Sequence, residues 1–197
     1  MGLEQCWLAK PSIVIIFLDI DGVLSSTEWS EWRELRSLIP PRLAQEAFDE
    51  ERIDPNCVEH LRSVVQLTGA RLVIMSTWRQ RMGISEFVRL FTLYGWTEAP
   101  VMGVTPRIAG LIRGDEVAAW CANNDYDGPY VCVDDDDDFR VGQPLVRTNR
   151  EVGLTRLDAE RCVEILTSRQ TALSDNVKKE SLKRAMRMRQ LKNETSR

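Results

Sequence analysis

This 197-residue sequence has a single histidine, His60, and its five cysteines include no Cys-x-x-Cys pair. A zinc site built on several histidines is therefore excluded. The scattered cysteines favour reduced thiols in a cytosolic protein over a disulfide framework. No apolar run is long enough to span a membrane. The N-terminal segment carries Glu4 and lacks a long apolar core, so it is a poor signal peptide, and we expect a cytoplasmic protein without membrane contact.

Charge is unevenly spread along the chain. The formal net charge is −4, which is not the balance of a typical nucleic-acid binder. Residues 168–197 are nevertheless basic, and we separate them as a helical tail from a domain spanning residues 12–167. The tail either contacts phosphates or packs on the domain or a second subunit. Its basic residues between 178 and 192 are Lys178, Lys179, Lys183, Arg184, Arg187, Arg189 and Lys192.

Short apolar segments alternate with helix-like ones along the chain. The apolar runs predict strands over residues 13–18, 71–75, 100–104, 129–133 and 145–147. Helices are predicted from Asp54-Pro55 to Gly69, over 85–93, over 115–124, and from the capping box at Thr155 to Leu166, with two short ones within 25–53. This alternation predicts an α/β protein with a doubly wound parallel sheet. Ligands of such sheets bind beyond the carboxyl ends of the strands.

The first predicted strand ends in two closely spaced carboxylates, Asp19 and Asp21, followed by Gly22. In an extended chain these two side chains share a face, and the glycine allows a sharp turn after them. Clustered carboxylates repel unless a cation or a shared proton compensates. The pattern therefore indicates a chemical site, although an ordinary Asp-Gly turn at a strand end would have the same sequence.

Two further strands also run into polar residues. The strand over 71–75 leads into Ser76-Thr77-Trp78-Arg79, where a hydroxyl can either bind a phosphate oxygen or cap the next turn. The strand over 129–133 leads into five aspartates, 134–138. Five consecutive like charges are usually a solvated loop, but an apolar strand before them is a poor setting for one, and oxygen-only ligands suit Mg²⁺.

Together these segments resemble the haloacid dehalogenase (HAD) superfamily of phosphohydrolases, and within it the HAD domain linked to Swiss Army Knife RNA-repair proteins. The matching pieces are FLDIDGVL at 17–24, STWR at 76–79, the segment from Arg113 to Trp120, the aspartate run, and Gly-Leu-Thr at 153–155. The resemblance implies a Rossmann-like HAD fold with at most a small cap. Residues 12–167 would then be the phosphatase domain.

The resemblance also implies roles for individual residues. Asp19 would be the nucleophile and Asp21 the general acid and base, while Ser76 and Arg113 would bind the remaining phosphoryl oxygens. Arg79 and Arg107 compete with Arg113 for that position. Substrate contacts are expected from Thr77 and Arg79. The implied cofactor is Mg²⁺, held by Asp19, the carbonyl of Ile20, Asp21, Asp134 and Asp135. Asp134 and Asp135 are the first candidates in the aspartate run, with Asp138 in a supporting position.

The resulting expectation is a Mg²⁺-dependent phosphomonoester hydrolase that forms an aspartyl-phosphate. Residues 25–53 and 80–112 are both short for a full cap, so an open site would admit a nucleotide or a nucleic-acid end. Trp29, Trp32 and Trp78 either stack on bases or pack in the core. The alternatives are a phosphotransferase or phosphomutase, and a non-catalytic module that binds a metal or a partner. The sequence leaves the oligomeric state open.

Overall fold

The computed structural model describes residues 13–36 and 52–194. Five parallel strands form one sheet in the order β3-β2-β1-β4-β5, which places β1 at the centre. This arrangement confirms the predicted doubly wound parallel sheet. The strands are β1 (Ile15–Leu18), β2 (Arg71–Ile74), β3 (Val101–Val104), β4 (Tyr130–Asp134) and β5 (Leu145–Arg147).

The helices flank this sheet and mostly begin where local sequence signals predict. They are α1 (Thr27–Arg36), α2 (Pro55–Thr68), α3 (Ile84–Leu93), α4 (Arg113–Asn123) and α5 (Arg156–Glu194), with a short 3-10 helix at Thr77–Gln80. The side chain of Asp54 caps α2 by accepting a hydrogen bond from the Asn56 N–H at 2.8 Å. Gly69 ends that helix in the left-handed conformation.

Three predicted helix boundaries need correction, and one further predicted helix lies outside the described residues. Helix α4 begins at residue 113, two residues earlier than predicted, and α3 begins one residue earlier. The capping box at Thr155 is confirmed, because the Thr155 N–H donates to Asp158 Oδ2 at 3.0 Å. The helix that it opens does not end at Leu166 but continues unbroken to Glu194. The second helix predicted within residues 25–53 falls in 37–51, outside the described residues.

Side chains of the central strand β1 alternate between two apolar layers. Ile16 and Leu18 pack in the layer formed with α2, α3 and α5, whereas Ile15 and Phe17 pack in the layer that contains Val117 of α4. All four β1 residues are fully buried. A strand covered on both faces needs apolar residues at every position, which explains the unbroken apolar run.

The stretch of residues 80–112 belongs mainly to the sheet architecture. It contains α3 and the edge strand β3, so it is not a site of cap insertion. Over the described ranges 13–36 and 52–194, no helix is both long and apolar enough to cross a bilayer.

Candidate active site

Three aspartates converge at the carboxyl ends of β1 and β4. Asp19, Asp134 and Asp135 each offer a carboxylate oxygen, and these oxygens all lie within 4.8 Å of one another. The sheet register accounts for this convergence, because Leu18 at the end of β1 is aligned with Val133 of β4. The residues that follow in each strand therefore emerge at the same level of the sheet edge.

Gly22 allows the turn after β1 to lie directly against Asp135. Its φ angle is +75°, which L side chains rarely adopt. A Cβ atom at this position would also stand 2.4 Å from Cγ of Asp135. The glycine of the DxDG sequence thus has two functions here, since it permits the turn and leaves room for an acidic side chain from another strand.

Neighbouring arginines only partly offset the buried negative charge of the aspartate cluster. Asp19 is 5% exposed and Asp134 is fully buried. Burial raises the pKa of Asp19, although Arg113 opposes this shift from 3.4 Å. Burial also raises the pKa of Asp134 to about 7, and the charge of Asp19 adds to the shift. Arg113 therefore does not fully offset the cost of two ionised carboxylates here, and a further cation would stabilise them.

One oxygen of Asp134 gives the clearest indication of a metal site. Its Oδ1 accepts a hydrogen bond from the Asp136 N–H at 3.0 Å, but its buried Oδ2 has no hydrogen-bond partner in the part of the chain that the structure describes. The Nε of Arg113 lies 3.6 Å from Oδ2, within reach of an ion pair but beyond a hydrogen bond. A partnerless buried oxygen within an all-carboxylate donor set fits Mg²⁺.

Asp21 is directed away from this three-carboxylate cluster. Its Oδ2 accepts a hydrogen bond from Nε1 of Trp78 at 2.9 Å. Its Oδ1 accepts hydrogen bonds from Arg52 at 3.2 Å and from Ser25 Oγ at 3.4 Å. The prediction of Asp21 as a metal ligand is therefore not matched by the geometry, whereas its position beside the cluster suits a proton-transfer group.

The carbonyl of Ile20 also differs from its predicted role. It accepts hydrogen bonds from the N–H groups of Val23, Leu24 and Ser25, at distances of 3.2, 2.8 and 3.0 Å. The carbonyl therefore closes the turn after β1 instead of pointing to the carboxylates. The Ile20 side chain is fully buried in the apolar core.

Arg113 is the arginine that reaches the nucleophile candidate. It stands at the start of α4, where its backbone N–H donates to Asp138 Oδ2 at 3.1 Å and its guanidinium donates to the Met75 carbonyl. Gly114 packs tightly on the loop after β4, because a Cβ there would lie 2.6 Å from the Arg140 backbone nitrogen. Asp138 and Gly114 together hold the beginning of α4 so that Arg113 points to Asp19.

Arg79, predicted as a substrate ligand, is instead enclosed in the protein. Its side chain is 2% exposed and forms a buried ion pair with Glu116 of α4. The guanidinium also donates to the Thr105 carbonyl at 3.0 Å and to the carbonyls of Met75 and Ser76. Arg107, the other competitor, is 56% exposed and lies 3.6 Å from Glu116. These contacts tie the turn after β2 to α4.

A cleft of about 460 Å³ opens over the carboxylates. Its polar walls come from the turn after β1, the start of α1, the turn after β2 and the chain beyond β5. Thr77, predicted as a substrate contact, lines the cleft. Ser76 is fully buried, and its hydroxyl accepts a hydrogen bond from the Trp78 N–H at 3.4 Å and lowers the pKa of Asp19. The lining groups are Asp19, Asp21, Gly22, Ser25, Ser26, Thr27, Ser30, Arg52, Thr77, Arg113, Asp135, Asp136 and Arg150.

Sequence reasoning did not identify two arginines of the cleft wall, Arg52 and Arg150. Arg150 Nε lies 2.7 Å from Asp135 Oδ2. Its position just beyond the carboxyl end of β5 is the signal that could have indicated it. Arg52 precedes α2 in a segment without strand-end signals, so no comparable pattern pointed to it.

The three tryptophans considered for base stacking differ in their surroundings. Trp78 is 2% exposed, so its ring faces are unavailable to a base. Trp29 and Trp32 stack on each other with ring centroids 4.9 Å apart, and Trp32 remains 44% exposed. Of the two roles considered for Trp78, packing in the core is therefore the one that its position supports.

The chain belongs to a family described as the HAD domain in Swiss Army Knife RNA repair proteins, whose model matches residues 15–159. This membership agrees with the parallel sheet and with the acids at its carboxyl edge. It supports a HAD-type phosphohydrolase with a connection to RNA repair. Comparison with curated proteins and with solved structures gives no match.

Proposed function

We propose that this protein is a Mg²⁺-dependent phosphatase that removes a terminal phosphate from a nucleotide or a nucleic-acid end. The observation that carries this proposal is the convergence of Asp19, Asp134 and Asp135, with oxygens within 4.8 Å, beside Arg113. The open cleft and the family's connection to RNA repair favour a large phosphorylated substrate.

In the proposed reaction, Asp19 attacks phosphorus and the bond from phosphorus to the leaving oxygen breaks. Asp21 gives a proton to that leaving oxygen, and it later takes one from the water that hydrolyses the aspartyl-phosphate. Arg113 stabilises charge on the phosphoryl oxygens. Mg²⁺, held by Asp19, Asp134 and Asp135, would neutralise these carboxylates and bring nucleophile and phosphate together.

The test is a phosphatase screen with purified protein, Mg²⁺ or EDTA, nucleotides, and oligonucleotides that carry a 3′- or 5′-phosphate. We expect Mg²⁺-dependent release of phosphate and a protein-bound phosphoryl group that hydroxylamine removes. Asp19→Asn should lower turnover on the order of 10⁴-fold. The matched control is Asp127→Asn, because Asp127 is exposed in a turn before β4.

Three results would contradict the proposal. Full turnover in EDTA would contradict the role of Mg²⁺. Near-wild-type turnover by a folded Asp19→Asn variant would show that Asp19 is not the nucleophile. Transfer of the phosphoryl group to an added alcohol acceptor, instead of to water, would favour the phosphotransferase alternative.

A further inference from the structure

Trp78 is a buried side chain whose only polar atom is aimed at the cleft. It lies in the short 3-10 helix after β2, and its indole ring packs in the main apolar core. Its Nε1 donates a 2.9 Å hydrogen bond to Oδ2 of Asp21, a residue 57 positions earlier in the chain. A buried tryptophan needs a partner for its N–H, and here that partner is a carboxylate of the candidate site.

The two oxygens of Asp21 have different surroundings. Oδ2 faces the rigid, buried indole, whereas Oδ1 faces Arg52 and Ser25, which line the cleft. The arginine is 36% exposed, so its side chain can move when a substrate enters. The indole has no such freedom, because its ring is enclosed by the core on which it packs.

We propose that Trp78 is the positioning residue for proton transfer, and that it fixes Asp21 so that Oδ1 faces the leaving oxygen. This inference rests on the proposed phosphatase function. When Asp19 bonds to phosphorus and the leaving oxygen departs, the proton on Oδ1 moves to that oxygen. In the second step, Oδ1 takes a proton from the attacking water as the bond from Asp19 to phosphorus breaks.

This assignment predicts an effect that depends on the leaving group. An alkoxide is a poor leaving group and needs the proton, whereas nitrophenolate departs readily without it. Misplacing a catalytic group by about 1 Å costs on the order of 10²-fold in rate. Loss of the indole N–H should therefore slow hydrolysis of an alkyl phosphate far more than hydrolysis of nitrophenyl phosphate.

The experiment compares kcat/KM for these two substrates in the wild-type protein and in Trp78→Phe. We expect the ratio of alkyl to nitrophenyl phosphate activity to fall on the order of 10²-fold. The control is Trp120→Phe, because Trp120 is also buried but packs against Phe17 on the other face of the sheet. That variant should leave the ratio at its wild-type value.

A second variant addresses the risk that Trp78→Phe does not fold. Replacing Trp78 with benzothienylalanine exchanges the N–H for sulfur while the ring keeps its shape, and the ratio should fall similarly. In an Asp21→Asn background, the change at Trp78 should produce no additional fall, because it acts through Asp21.

The outcomes separate this inference from the proposed function. If wild-type protein releases phosphate from neither substrate, nor from the nucleotides and oligonucleotides of the phosphatase screen, the proposed phosphatase function fails. If wild-type protein is active but the folded Trp78 variants keep the wild-type ratio, the positioning role alone is refuted. An equal loss for both substrates would show that Trp78 only supports the fold.

Discussion

Asp134 should make the stability of the metal-free protein fall as pH rises. Its carboxyl is fully buried, and its pKa is raised from 3.8 to about 7. A raised pKa means that the folded protein binds more protons than the unfolded chain between these values. Stability is therefore greatest below the unfolded pKa and is lost as pH rises through the folded pKa.

The size of this effect follows from the shift. Each pH unit between the unfolded and the folded pKa corresponds to about 1.4 kcal/mol, and the interval from pH 5 to pH 7 covers about two such units. Ionising Asp134 should then reduce the free energy of unfolding by up to about 3 kcal/mol over that interval. Bound Mg²⁺ should reverse the loss at pH 8, because it binds the ionised carboxylates of the folded protein.

The assay is urea unfolding at several pH values between 5 and 8, in EDTA and in Mg²⁺. Asp134→Asn removes the titrating group, so its stability should depend less on pH and respond less to Mg²⁺. Asp127→Asn, at an exposed turn, should behave as the wild-type protein does. Identical pH dependence in wild type and Asp134→Asn, or no stabilisation of wild type by Mg²⁺ at pH 8, would refute the reasoning.

Three further changes test how the site is held and what it binds. Arg113→Ala should lower kcat/KM on the order of 10²-fold, because the phosphoryl oxygens lose a hydrogen-bond donor that stabilises their charge. Steady-state kinetics with Mg²⁺ measures this change, and an unchanged kcat/KM would contradict that role of Arg113. Gly114→Ala should lower the free energy of unfolding by about 1–3 kcal/mol, because the new Cβ would overlap backbone atoms. Gly83→Ala is the control, because the Cβ there meets only the flexible end of a side chain and should be tolerated. Equal unfolding midpoints of the two variants would refute the expectation for Gly114. Deleting residues 174–197 should flatten the salt dependence of oligonucleotide binding while hydrolysis of a small phosphomonoester persists; an unchanged slope would exclude a phosphate-binding tail.

The walls of the cleft bear on the size of the substrate. Hydroxyl groups of Ser25, Ser26 and Thr27 come from the turn after β1 and the start of α1, and Arg52 and Arg150 also line the cleft. Hydroxyl and guanidinium groups are the usual partners of sugar and phosphate oxygens. This composition supports a nucleotide or nucleic-acid end as the substrate class in the proposal.

The sequence alone was sufficient to predict the sheet and the convergence of Asp19 with Asp134 and Asp135. Each lies at or just beyond the end of an apolar run, and parallel strands must bring their carboxyl ends to one edge. The start of α2 was equally predictable, because the Asp54 cap and the proline after it act within a few residues.

Only the tertiary structure decided where Asp21 and the Ile20 carbonyl point. The sequence argument assumed that the chain stays extended through residue 21. Instead, the turn closes on the Ile20 carbonyl, and the Asp21 carboxylate meets Trp78 from the end of a different strand. A contact between residues 57 positions apart depends on how β1 and β2 pair, which no local pattern specifies.

The choice among the arginines was decided in the same way. Arg79, Arg107 and Arg113 all occur near strand or helix ends, so sequence position does not separate them. Packing of α4 buries Glu116 beside Arg79, and this ion pair holds Arg79 away from the cleft. Arg113, one helical turn before Glu116, is held at the start of α4 by Asp138 and lies 3.4 Å from Asp19.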